Sequence, residues 1–235
     1  MKTALFLYDF TGIMAQPWLD AGYRCISFDG QHLEGITRDG KWYKVGIWFT
    51  GDINDDLKAI AAKVNAIAPP AKPEFVFGFP ECTHMAVSGA RHFAAKLDKD
   101  PDIQNRAARL AMLVEYVANL YGAKWGAENP VSVLSSLWRK PDFSFHPYEF
   151  GGYLPENDRH PLYPDYIKPR DAYPKKTCIW CGNGFKKPPL KPVHVDEGYS
   201  VQYHKLGGRS LKTKNIRSAT PRGFAAAVFL ANSGV

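Results

Sequence analysis

The sequence predicts an α/β fold, a parallel sheet with helices on both faces, and three observations carry that expectation. Short apolar runs rich in β-forming residues alternate with stretches of helical periodicity, the order that builds a parallel sheet through helical crossovers. The runs end in chemically pointed residues, Gly12, Asp29, Asp52, Cys82 and Glu128, which parallel strands would deliver to one edge. At 235 residues, with 45% hydrophobic and 23% charged content, the chain can fill one sizeable core.

Residues 3–8 form the first predicted strand and run into Asp9-Phe10-Thr11-Gly12-Ile13-Met14-Ala15; residues 17–22 follow as a helix closed by Gly22. Strand, glycine turn and helix open many nucleotide-binding folds, where backbone N–H groups approach a cofactor closely. Residues 23–29 make a second strand whose terminal Asp29 suits a ribose hydroxyl pair, the alternative being an Asp that starts a turn with Gly30. Residues 41–50 read as a third strand, stopping at Gly51-Asp52-Ile53-Asn54 and placing Asp52 at the sheet edge. A helix over 57–67, with Ile60, Val64 and Ile67 on one face, is halted by Pro69-Pro70.

The next strand, 75–79, ends in Pro80-Glu81-Cys82, a turn that presents a cysteine instead of burying it. A lone cysteine is more often a small core residue, so its neighbours decide its meaning. A core-packing helix over 102–121 leads to a strand over 123–127 and to Glu128-Asn129-Pro130 at its end. One cleft would then hold a cofactor turn, a ribose carboxylate, a cysteine and a carboxylate beside an amide.

Residues 135–174 interleave rings such as Trp138, Phe143, Phe145, Phe150 and Tyr173 with Arg139, Lys140, Arg159, Lys168 and Arg170. Such a segment either stacks on bases and tracks phosphates or wraps the domain and buries its rings. Residues 177–181 form a strand whose alternation sets Cys178 and Cys181 on opposite faces, against joint zinc ligation with His194 or His204, and no metal site is expected. Residues 186–214 are basic, and Thr220 and Pro221 cap and open a last helix. The net charge of +7 and pI near 9.1 favour a polyanionic partner. No apolar run is long enough to span a bilayer, the start lacks a cleavage site, and four cysteines make no disulfide framework, so a reducing, cytoplasmic setting is expected.

Over most of its length the chain resembles the DNA cytosine-5 methyltransferases, particularly the compact versions found in phages. Phe10-Thr11-Gly12 matches the family's cofactor turn, with Asp9 displaced by one, Asp29 its ribose acid, and Asp52-Ile53 its adenine-contacting pair. Gly78-Phe79-Pro80-Glu81-Cys82 matches the Gly-Phe-Pro-Pro-Cys loop, Glu128-Asn129-Pro130 the Glu-Asn-Val element, and Ser218-Ala219-Thr220-Pro221 the closing Asn-Ala-Val-Pro. The resemblance implies a Rossmann-like methyltransferase sheet, S-adenosyl-L-methionine as cofactor, and DNA with a flipped cytosine as partner. It further implies Cys82 as nucleophile, Glu128 on the base edge, Asn129 positioning that strand end, and Lys175 and Thr177 where the family carries two arginines. Asp9, Phe10, Thr11, Gly12, Asp29, Asp52, Ile53, Pro80 and Ser218 would line the cofactor.

Glu81 stands where the family has proline, and its charge opposes a thiolate unless the side chain turns away. The expected organisation is a catalytic core over 1–134, an insertion over 135–174 suited to DNA contact, a core strand over 175–184, a short recognition remnant over 185–214 and a closing helix over 215–235. That remnant is small for a recognition domain. Two alternatives therefore stand beside DNA methylation: the same chemistry on free nucleotides or single strands, and a non-catalytic DNA-binding protein on this scaffold.

Overall fold

The computed structural model describes residues 1–69, 72–196, 202, 205–207 and 210–234; the expectations placed on Pro70 and His204 lie outside them. The chain divides into two compact units, 1–144 with 177–185, and 145–176 with 186–235. Among the described residues no helix is long and apolar enough to cross a membrane.

The first unit opens with β1 (Thr3–Leu7), α1 (Gln16–Asp20), β2 (Arg24–Asp39), β3 (Trp42–Gly46), α2 (Ile53–Ile67) and β4 (Phe75–Gly78). It continues through α3 (Phe93–Lys99), α4 (Ile103–Tyr121), β5 (Lys124–Pro130) and α5 (Leu134–Leu137) to β6 (Phe143–Phe145), whose last residue is counted with the second unit, and β7 (Thr177–Gly182) completes the sheet. Seven strands lie in the order β3-β2-β1-β4-β5-β7-β6. The pairs β1–β2, β1–β4 and β4–β5 are parallel, while β7 runs antiparallel to β5. This is a Rossmann-like α/β sheet, as the alternation of elements predicts. Its strand order reverses between β1 and β4, and a crevice for ligands opens beyond the carboxyl ends of strands at such a point.

Period-two alternation gives each face its own layer. Leu5, Leu7, Ile26, Phe28 and Val76 belong to the core cluster that includes Ile60 and Val64 of α2 and Leu113, Val114 and Val117 of α4. From the opposite face Phe6 and Phe75 meet Trp18 of α1, whose ring stacks on Phe75 at 4.3 Å. Gly78 is required where α4 crosses, since a Cβ there would come within 2.4 Å of Val114.

Several boundaries differ from expectation, each for a physical reason. β2 does not stop at Asp29: residues 25–29 pair in parallel with β3, and Ile36–Asp39 then pair with it in the reverse direction, turned by Gly40 at φ 58. β3 ends at Gly46, not at residue 50, because its parallel pairing with β2 stops at Asp29, and glycine is required there since a Cβ would stand 2.1 Å from the Leu33 carbonyl. α2 begins at Ile53 because the Asp52 side chain accepts the Asn54 and Asp55 N–H groups, so Asp52 is a helix cap six residues beyond β3. Glu128-Asn129-Pro130 lies inside β5, not beyond it, because Glu128 pairs with Ile179 and Pro130 with Thr177 after pairing with β4 has ended at Ala127.

The second unit contains 3-10 turns at Pro147–Tyr153 and Pro169–Asp171, then α6 (Leu211–Ser218) and α7 (Arg222–Asn232). Phe145 stacks on Phe224 at 4.1 Å, and Phe150 and Tyr173 are buried, so these rings form this unit's core. The N-cap of α7 is Pro221, one residue later than expected. Asp171 accepts the Gly223 N–H at 2.9 Å, and Asp158 pairs with Arg222, tying the 158–171 segment to the start of α7. Burial, with Arg222 second, holds His160 at about 4, so at neutral pH its Nδ1 accepts from Leu162 and Tyr163.

Candidate active site

On the β1 side of the crevice, Asp9 is buried and accepts the Gly12 N–H at 2.9 Å and the Thr11 hydroxyl at 3.5 Å. Among the described residues its second oxygen, Oδ2, is buried without a hydrogen-bond partner. Burial pushes Asp9 up to about 7, with Asp29 adding to the rise and the Gly12 N–H opposing it. Gly12 has φ +69, and a Cβ there would come within 2.4 Å of Trp42, so both the turn and the ring beneath it demand glycine. Phe10 is partly exposed and faces the His32 ring at 5.5 Å.

Asp29 is half-buried, accepts the Gln31 N–H at 2.8 Å and is raised by burial. Trp48, which the sequence reading did not single out, lies flat on Gly30: a Cβ there would fall 2.1 Å from the indole. Its other face is open, with the residue 76% exposed, beside the carboxylate assigned to a ribose. Tryptophan within an alternating apolar run reads as strand, and that masked the signal. Asp52 and Ile53 line an open surface depression of about 500 Å³ with Thr50, Gly51, Asn54 and Arg109. Asp56 fixes this rim by accepting the Thr50 and Gly51 N–H groups at 3.0 and 2.9 Å.

On the other side β4 delivers Pro80, Glu81 and Cys82. Cys82 is half-buried, whereas Cys25 and Cys178 are buried. The loop is fastened to the continuation of β5 at three points. Buried Asn129 donates from Nδ2 to the Pro80 carbonyl at 3.0 Å, the Val87 N–H donates to Val131, and the Val133 N–H donates to Met85. Neighbouring strands thus bring Cys82 and Glu128 to the same end of the β4–β5 pair. Thr177, buried and opposite Pro130, shares the face of β7 that meets Glu128 through Ile179.

Glu81 is exposed and accepts the Thr83 hydroxyl at 2.6 Å, so its carboxylate is held within the loop, on the side of Thr83. His84, another residue the sequence reading passed over, lines a smaller cleft of about 170 Å³ with Glu81, Thr50 and Arg106. Burial holds its imidazole below the ordinary value, with Lys96 the next cause.

Lys175 and Ser218 belong to the second unit. Lys175 donates to the Arg217 carbonyl at 2.9 Å, and exposed Ser218 ends α6 with its hydroxyl on the Asn215 carbonyl. Cys178 and Cys181 pair with Asn129 and Gly126 on β5, and among the described residues no group of three His, Cys, Asp or Glu side chains is placed to hold a metal ion.

No protein-family model matches the chain, and no curated protein matches it. Among solved structures it is similar to a double variant of a short-chain dehydrogenase/reductase of Serratia marcescens, at 12% identity and TM-score 0.35 over 53% of this chain and 55% of that one. It is also similar to a protein described as a candidate DNA modification methyltransferase from an E. coli prophage, at 10% identity and TM-score 0.38 over 82% of this chain and 53% of that one. The SurE protein of Aquifex aeolicus gives 12% identity and TM-score 0.26 over 86% and 88%. The match spans about half the length of the first two. Overlaps this slight carry no argument about activity.

Proposed function

We propose that the chain is an S-adenosylmethionine-dependent methyltransferase that modifies C5 of cytosine in DNA through a cysteine adduct. The observation that carries this reading is the fastening of the Cys82 loop to the Glu128-Asn129 end of β5 by the Asn129 amide on the Pro80 carbonyl. That arrangement sets a thiol and a carboxylate at one end of two adjacent strands, next to the switch point of the sheet.

Cytosine C5 is a poor nucleophile until C6 is occupied. The Cys82 thiolate adds to C6, and Glu128 hydrogen-bonds the N3 and N4 edge and steadies the charge that develops there. Asn129 holds the loop that aims the sulfur. When bound, S-adenosylmethionine supplies the electrophilic methyl group. Loss of the C5 proton and departure of the Cys82 sulfur restore the ring, and in duplex DNA the base is first flipped out. The residues fit this cofactor: the Gly12 turn, Asp29 beside exposed Trp48, and the depression at Asp52 and Ile53 offer groups for an amino acid, a ribose and a base.

The test is transfer of labelled methyl from S-adenosylmethionine to DNA. Transfer is expected from the intact chain and is lost by at least about 100-fold in Cys82→Ala, with cofactor binding by calorimetry unchanged; transfer by that variant removes the nucleophile assignment. A second reading, with free cytosine nucleotides or single strands as acceptor, is favoured by the burial of Phe145, Phe150 and Tyr173, which withdraws those rings from base stacking. Offering deoxycytidine nucleotides and duplex DNA side by side separates the two.

A further inference from the structure

The Cys82 loop carries a carboxylate where a thiolate needs the opposite. Glu81, next to Cys82 in the chain, accepts the Thr83 hydroxyl at 2.6 Å, which fixes a negative charge on the residues that flank the cysteine. From α3, Lys96 donates to the Thr83 carbonyl at 2.6 Å. One residue, immediately after the cysteine, is therefore gripped by a carboxylate through its side chain and by an ammonium through its backbone. Gln104 of α4 adds a hydrogen bond to the His84 carbonyl at 3.2 Å.

The other charges do not replace Lys96. Arg106 and Asp100 both act on His84, but they are ion-paired with each other and largely cancel. His84 is depressed below its ordinary value by burial and is neutral at pH 7. β5 contributes Glu128, a second negative charge. Lys96 is thus a cation joined to the loop that, among the described residues, is in no ion pair with a carboxylate.

We propose that Lys96 is a positioning residue for Cys82: its ammonium pins the Thr83 carbonyl and supplies the positive charge that offsets Glu81, so that the thiol ionises despite the carboxylate beside it. A cation near a thiol favours the thiolate, and a neighbouring anion opposes it. The inference rests on the reading of Cys82 as nucleophile, yet its test needs neither cofactor nor DNA.

The test is the rate of iodoacetamide alkylation of Cys82 against pH in the full chain, followed by peptide mass spectrometry. Cys25 and Cys178 are buried and Cys181 is pushed up to about 12 by burial and Asp142, so Cys82 reacts first. Lys96→Met is expected to slow alkylation at pH 7 by about threefold and to move its pH midpoint upward. Lys96→Arg retains the wild-type midpoint, and Glu81→Gln moves it downward. A midpoint in Lys96→Met equal to wild type overturns the proposal. Should Lys96→Met fail to fold, Glu81→Gln decides, since an unchanged midpoint there shows that no charge balance exists. A chain that shows these shifts but transfers no methyl group keeps this inference and loses the proposed activity.

Discussion

Asp9 acts from behind its turn. Buried, with one oxygen on the Gly12 N–H, it organises the backbone that a cofactor would meet. Burial and Asp29 raise it to about 7, so the folded protein holds this proton more tightly than the unfolded chain does. The associated stability is fully present below the unfolded value near 3.8 and is lost as pH rises through about 7. Asp9→Asn removes this dependence. Urea denaturation at pH 5 and pH 8 should therefore show wild type losing stability relative to Asp9→Asn by an amount on the order of a few kcal/mol. Asp171, raised to about 6, contributes a slope of the same sign in both proteins and drops out of the difference.

At the scale of elements, Asp52 separates a structural duty from a functional one. Its carboxylate accepts two N–H groups at the start of α2, so Asp52→Ala should cost about 1 kcal/mol in denaturant titrations, whereas Asp52→Ser, which still caps, should cost little. A loss of cofactor affinity shared by both variants would mark a contact with the ligand; a loss confined to Asp52→Ala would mark the cap alone. The sequence made β1, β4, α4 and β7 legible because each is a run with one clear period. It did not disclose that β2 folds back along β3, since a pair of strands turned at Gly40 reads locally like two separate strands. α3 was invisible because Phe93–Lys99 is too short to show an apolar face, and with it went Lys96.

At the scale of the molecule, the parallel pairing of β1, β4 and β5 was readable because strands that alternate with helices are joined by crossovers. The grouping of 145–176 with 186–235 was not, because that unit's core joins Phe145 and Phe150 to Phe224, more than seventy residues apart, with no repeating pattern between them. Composition likewise could not say which rings face water. Of the six tryptophans, Trp18, Trp125 and Trp180 are buried, Trp42 and Trp138 are half-buried, and Trp48 is open. The molecule therefore carries its own optical gauge: long-wavelength emission and acrylamide quenching should come chiefly from Trp48 and fall in Trp48→Phe, leaving the weaker share of half-buried Trp42 and Trp138. A ligand seated at Asp29 should shield that indole and shift the emission to the blue, so cofactor occupancy can be followed by light alone, before any acceptor for the methyl group has been identified.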